Sequence, residues 1–184
     1  MKKRYVIYFF AVIALLSGCG TSHNNDEITV KDIMNDINMQ IAKDMKAKGI
    51  DQEYKVNGEL KGYQLIDLVD KEGNNQHGSQ FREKLKLNKD EIVEGLALVP
   101  QGNNISDEII ILKAKHQHMA DTLEKVLEKE KESQMDIWSG DQIAQYKKVK
   151  KNRIEVKGKF LIYVTYEKPA KIIKIFNKAF KDKQ

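Results

Sequence analysis

Apolar residues fall along this chain in blocks whose spacing changes from one element to the next. The first block, Tyr5 to Leu16, is nearly unbroken but about a dozen residues long, short of the roughly 20 that span a bilayer. Residues 20–28 are polar and aperiodic, which predicts a flexible tether. From Thr29 the period turns helical, with Ile33, Ile37, Ile41 and Met45 at every fourth position. Thr29 is placed to cap that helix, Asp32 suits its first turn, and Gly49 follows Lys46 and Lys48 as a stop.

The pattern weakens over residues 50–78. Tyr54–Val56 and Gly62–Val69 read as short strands, the second equally as a helical turn, and Gly73–Gly78 reads as a loop. Phe81 and Leu85 predict a short amphipathic helix over Ser79–Leu87, and Asn88 with Glu91 forms a capping-box pattern for another. Leu96–Val99 and Ile109–Leu112 read as buried strands separated by a turn. Met119, Leu123, Val126 and Leu127 share one helical face, and Ile143, Tyr146 and Val149 suggest a continuation over Ser139–Lys150. Arg153–Lys157 alternates as a half-buried strand does, Gly158 turns the chain, and Phe160–Tyr166 is a second, more apolar strand. Pro169 opens a last helix with Ile172, Ile173, Phe176, Ala179 and Phe180 in one stripe. Adjacent strands joined by short turns favour antiparallel pairing. The predicted fold is therefore α+β, two-layered, with helices packed on one face of an antiparallel sheet.

The residues after the first apolar block change the picture. A basic tip (Lys2, Lys3, Arg4), a short apolar core and the small residues Ser17 and Gly18 make an export signal. Cys19 follows directly, and Leu16-Ser17-Gly18-Cys19 resembles the lipobox of bacterial lipoproteins. The resemblance implies that a diacylglycerol alkylates the Cys19 thiol and that cleavage falls between Gly18 and Cys19. The mature chain then begins with acyl chains such as palmitate, held in the membrane at its extracytoplasmic face. On this reading residues 1–18 are the signal peptide, 19–28 the tether and 29–184 a single domain. Cys19 is the only cysteine, so the domain is expected to hold together without a disulfide.

Charge is distributed unevenly. Residues 19–146 carry 16 basic and 24 acidic side chains, whereas residues 147–184 carry 13 basic and 3 acidic. Lys171, Lys174, Lys178 and Lys181, spaced by three and four, form one ridge on the last helix. Such a ridge suits an anionic partner, lipid headgroup or wall polymer, and equally a solvated face. Nucleic acid is not expected, because the chain is exported and its basic end lacks interleaved exposed aromatics. Abundant Lys, Ile and Asn with two prolines point to an AT-rich genome and a Gram-positive source.

The order of features from Asp107 to Phe176 carries a second resemblance. An apolar strand is reached through acidic residues (Asp107, Glu108), and a long charged helix follows. Trp138 and Tyr146 come next, then a hairpin with Gly158 at its centre. With the lipobox, this is similar to a family of short Gram-positive lipoproteins defined only as a domain of unknown function. Where others tend to have proline after the tyrosine, this chain has Lys147-Lys148. That family supplies no activity and no site residues.

No convergent catalytic set is legible. His116 and His118 lie two apart at a strand-to-helix junction, with Asp121 and Glu124 read as solvent-facing carboxylates, short of the three ligands of a zinc site. His77 has no ligand partner at metal spacing, and Ser106 and Ser139 lack a Gly-x-Ser-x-Gly elbow. The expectation is a lipoprotein without catalytic activity, metal or cofactor, acting by binding or through an envelope protein partner. The alternatives are a small-ligand or ion binder and, third, an envelope enzyme.

Overall fold

The computed structural model describes residues 28–50, 55–56, 59–69, 75–140 and 142–181. The expected signal peptide, Cys19 and the tether as far as residue 27 lie outside the described residues. Helix α1 (Val30–Ala47) starts where expected, its N-terminus capped by the Thr29 side chain accepting from the Asp32 amide. Two short antiparallel strands, β1 (Lys55–Val56) and β2 (Glu59–Leu60), precede β3 (Tyr63–Asp67), α2 (Gln76–Leu85) and β4 (Ile92–Pro100). Then follow β5 (Glu108–Ala114), α3 (Ala120–Ile137), α4 (Ile143–Lys150), the β6 (Arg153–Lys157) and β7 (Phe160–Thr165) hairpin, and α5 (Pro169–Lys178). The main sheet has the order β3-β4-β5-β7-β6, antiparallel throughout.

The α+β class and the antiparallel sheet agree with the sequence reading, but the helices do not share one face. Ile109, Ile111, Ile162 and Val164 pack with Ile33, Ile37 and Ile41 of α1 and with Ile172 and Phe176 of α5. Ile110, Leu112, Leu161 and Tyr163 point the other way and pack with Leu85 of α2 and with Leu123 and Leu127 of α3. The molecule is thus three layers, helix–sheet–helix, and not two. The physical reason lies in β5, which is buried at every position. A strand with apolar side chains on both sides needs apolar cover on both sides. Both cores are built from residues between Ile28 and Phe180.

Local expectations are corrected at four places. The loop expected over Gly73–Gly78 ends earlier, because Asn75 caps α2 by accepting from the Gly78 amide, which puts Gln76, His77 and Gly78 inside the helix. The Asn88 capping box yields one 3-10 turn, Lys89–Glu91, and β4 begins immediately at Ile92. The continuation expected from Ser139 is a separate helix starting at Ile143. Ile28, assigned to the tether, instead packs partly buried against the α1–α5 core.

Candidate functional site

Three groups of chemistry-bearing side chains occupy different parts of this frame. The first lies where β5 starts and β7 ends, and most of its members are buried. Asp107 accepts from Lys148 Nζ (2.6 Å) and from the Tyr63 hydroxyl (2.7 Å). Ser106 donates to Gln145 Oε1 at 2.9 Å, which ties the start of β5 to α4. Asn152 Nδ2 donates to Thr165 Oγ1 (2.9 Å), and Thr165 lies opposite Glu108 in the sheet register. Burial and the Asp107 carboxylate push the Tyr63 hydroxyl pKa up, which keeps it a donor.

Glu108 itself faces the α2–α3 layer. Lys84 of α2 lies 3.5 Å from Glu108 Oε1 and donates to Glu130 Oε1 of α3 at 2.7 Å. Glu130 also accepts from Gln134, which accepts in turn from the Trp138 indole. Glu108 Oε2 is buried with no hydrogen-bond partner among the described residues. Burial is the largest influence on this carboxyl and outweighs the Lys84 charge. With Glu130 beside it as a like charge, the pKa is pushed up to about 7. The Lys84 pKa is raised as well, which in its case favours the charged form. Desolvation works against its charge, but Glu108 and Glu130 more than offset that and raise its pKa. Two carboxyls and one ammonium can hold a single extra proton here.

Sequence reasoning missed this cluster by treating the α3 carboxylates as solvent-facing. Glu130 is 4% exposed. The signal was its position: it stands seven residues after Leu123 and three after Leu127, on the buried stripe.

The second group is the α5 ridge. Its four lysines are all exposed, but they are not equivalent. Lys171 donates to Asp44 of α1 at 2.8 Å. Desolvation raises the Asp44 pKa, but the Lys171 bond and charge outweigh it and hold it below the usual carboxylate range. Lys174, Lys178 and Lys181 border a shallow concavity of about 390 Å³ floored by Ala170 and Ile173. The expected ridge of four is therefore a group of three plus a helix–helix tie.

The third group lies where the chain enters the domain, at the other end of β5. Glu94 accepts from the Val30 amide (2.8 Å) and pairs with Lys113 (2.9 Å), and Lys113 also donates to the Ile28 carbonyl (3.4 Å). Beside this clamp is a groove of about 690 Å³ lined by Ile28, Phe160, Phe180, Lys157, Lys159 and Lys181, among others. His116 and His118 stack face to face with centroids 5.6 Å apart, both exposed, as is His77. Among the described residues, no group of three His, Cys, Asp or Glu side chains could hold a metal. No described helix is long and apolar enough to cross a membrane. Gly18 and Cys19 lie outside the described residues, and Ser139 spends its hydroxyl on the Asp136 carbonyl.

Residues 67–166 match the family described as Domain of unknown function (DUF4358). That stretch holds Lys84, Glu108 and Glu130 but neither α1 nor α5. No curated protein and no solved structure matches the chain.

Proposed function

The chain belongs to the DUF4358 family, and from that footing we propose that it is a lipid-anchored envelope protein acting by binding. A diacylglycerol thioether on Cys19 holds it at the outer face of the cytoplasmic membrane, and the domain presents a basic helix to an anionic partner. The observation that carries the binding reading is the α5 concavity. Lys174, Lys178 and Lys181 surround an apolar floor and have no described acidic partner, whereas Lys171, Lys84, Lys113 and Lys148 are spent on ion pairs within the fold. Three ammonium groups on one face, with no acidic partner among the described residues, attract lipid phosphate, wall polymer or an acidic surface of an envelope protein.

The anchor is tested by Cys19→Ala in cells fed a labelled fatty acid. The substitution should abolish incorporation and leave an uncleaved precursor or a released chain, since the acyl chains supply the attachment. Normal labelling and processing of the Ala variant would remove the anchor from the proposal.

A second reading draws on a groove of about 530 Å³ beside β3, bordered by Leu65, Val69, Val93 and Leu96. Leu65 and Val93 stand 38% and 37% exposed there, which suits a small apolar ligand. A thermal-shift screen with short fatty acids tests it, and a flat response across the series counts against it.

A further inference from the structure

We propose that the groove where the chain enters the domain is a seat for anionic phospholipid headgroups, by which the domain rests on the membrane carrying its anchor. The location rests on the lipoprotein reading of Cys19, whereas the chemistry of the groove stands by itself.

Three exposed lysines rim the groove: Lys157 and Lys159 from the β6–β7 turn and Lys181 just beyond α5. Its described lining holds no carboxylate. Phe160 and Phe180 form the floor edge-to-face, with centroids 5.2 Å apart. Basic groups around an apolar floor match the boundary between lipid phosphate and acyl chain.

The turn that carries two of these lysines is held firmly. Gly158 has φ +58°, which lets two residues reverse the chain between paired Lys157 and Phe160. Gln117 Nε2 donates to the Gly158 carbonyl (2.9 Å), and the Ala114 amide donates to the Lys159 carbonyl (2.7 Å). Both turn carbonyls are thereby fixed, and the ammonium groups project from a rigid loop.

The position of the anchor supplies the partner. Lys113 and Glu94 pin the backbone at Ile28 and Val30, and Ile28 is itself part of the groove wall. Ile28 lies nine positions after Cys19, a reach of about 30 Å at full extension. A tether of that reach keeps the groove near the lipid surface, which raises its effective concentration there. The closed acid cluster lies at the far end of β5 from this groove.

The test uses residues 20–184, which lack the lipid but contain both cores. Cosedimentation is measured with vesicles of phosphatidylglycerol and phosphatidylcholine in equal parts and with pure phosphatidylcholine, at low and high salt. Binding is expected to the anionic vesicles alone and is lost at high salt. Each lysine near such a surface contributes about fivefold, so Lys157→Glu/Lys159→Glu/Lys181→Glu should weaken binding by about 100-fold or more. A control triple on the α3–α4 side, Lys125→Glu/Lys129→Glu/Lys147→Glu, should retain most of it. The proposal is overturned if the unsubstituted chain fails to bind anionic vesicles at low salt. Equal loss in the control triple, or binding to soluble polyglycerol phosphate without binding to vesicles, overturns it as well. Fatty-acid labelling at Cys19 is a separate readout, so loss of the seat and loss of the anchor are distinguishable.

Discussion

Replacing Glu108 by Gln should flatten the dependence of stability on pH. Glu108 is enclosed by Lys84 of α2, Glu130 of α3 and Tyr163 of β7, and its pKa sits at about 7 against an ordinary 4.5. A carboxyl raised in the folded state binds its proton more tightly there than in the unfolded chain. Its contribution is fully present below about pH 4.5 and is lost as pH rises through about 7. The displacement corresponds to roughly 3 kcal/mol across that window. Part of this is already lost at pH 5, so with a urea slope of about 2 kcal/mol per molar the unfolding midpoint should fall by roughly 1 M between pH 5 and pH 8.5. Asp44 and Glu167, whose pKa values are lowered, act in the opposite sense and only at more acidic pH. Lys84 and Tyr163 shift upward and act above the window. Urea unfolding of residues 20–184 at pH 5, 6, 7 and 8.5, followed by circular dichroism, measures the effect. The Gln variant cannot titrate at this position and should lose most of the slope. Glu130→Gln should reduce it too, because the like charge that helps raise Glu108 is gone. An unsubstituted chain equally stable at pH 5 and pH 8.5, or a Gln variant with the same slope, would refute the reasoning.

Two other substitutions probe the frame. Phe176→Ala empties a fully buried site on α5, beside Phe180 at 5.1 Å, and should cost about 3–5 kcal/mol by chemical denaturation. Gly78→Ala places a methyl group against the Asp67 carbonyl, where α2 meets the end of β3, and should cost about 1–3 kcal/mol while lowering the melting temperature.

The elements read correctly from sequence are those in which a single signal decided the outcome. The stripe Ile33-Ile37-Ile41 needs a helix, Arg153–Lys157 alternates cleanly, and Pro169 can open α5 but not lie inside it. The start of α2 was hidden because Asn75 and Gly78 look like loop residues when taken singly. Here they act together, one as the cap and the other as the small residue that lets the helix approach Asp67. The second helical layer was implied by the unbroken apolar run of β5, which a one-sided sheet cannot accommodate. Glu108 was legible as an acidic residue at a strand start, but its partners are not. Lys84 and Glu130 lie 24 and 22 residues away, and only the tertiary fold brings them together. The Asp44–Lys171 tie spans 127 residues and is likewise invisible to local periodicity.

The pairing of α1 with α5 has a consequence for how the chain matures. Among the described elements, helix α1 is synthesised first, and the helix that shares its face of the sheet is synthesised last. Strand β7, which supplies Ile162 and Val164 to the same core, also arrives late. The face made by α2, α3 and the sheet can begin to assemble earlier, but Ile33, Ile37 and Ile41 stay without their full cover until residue 176 has emerged. Contacts of such long sequence separation form slowly, and the uncovered stripe is sticky while it waits. A chain cut short before Pro169 should therefore expose α1 and be captured by chaperones or degraded, even with all five strands of the main sheet already made.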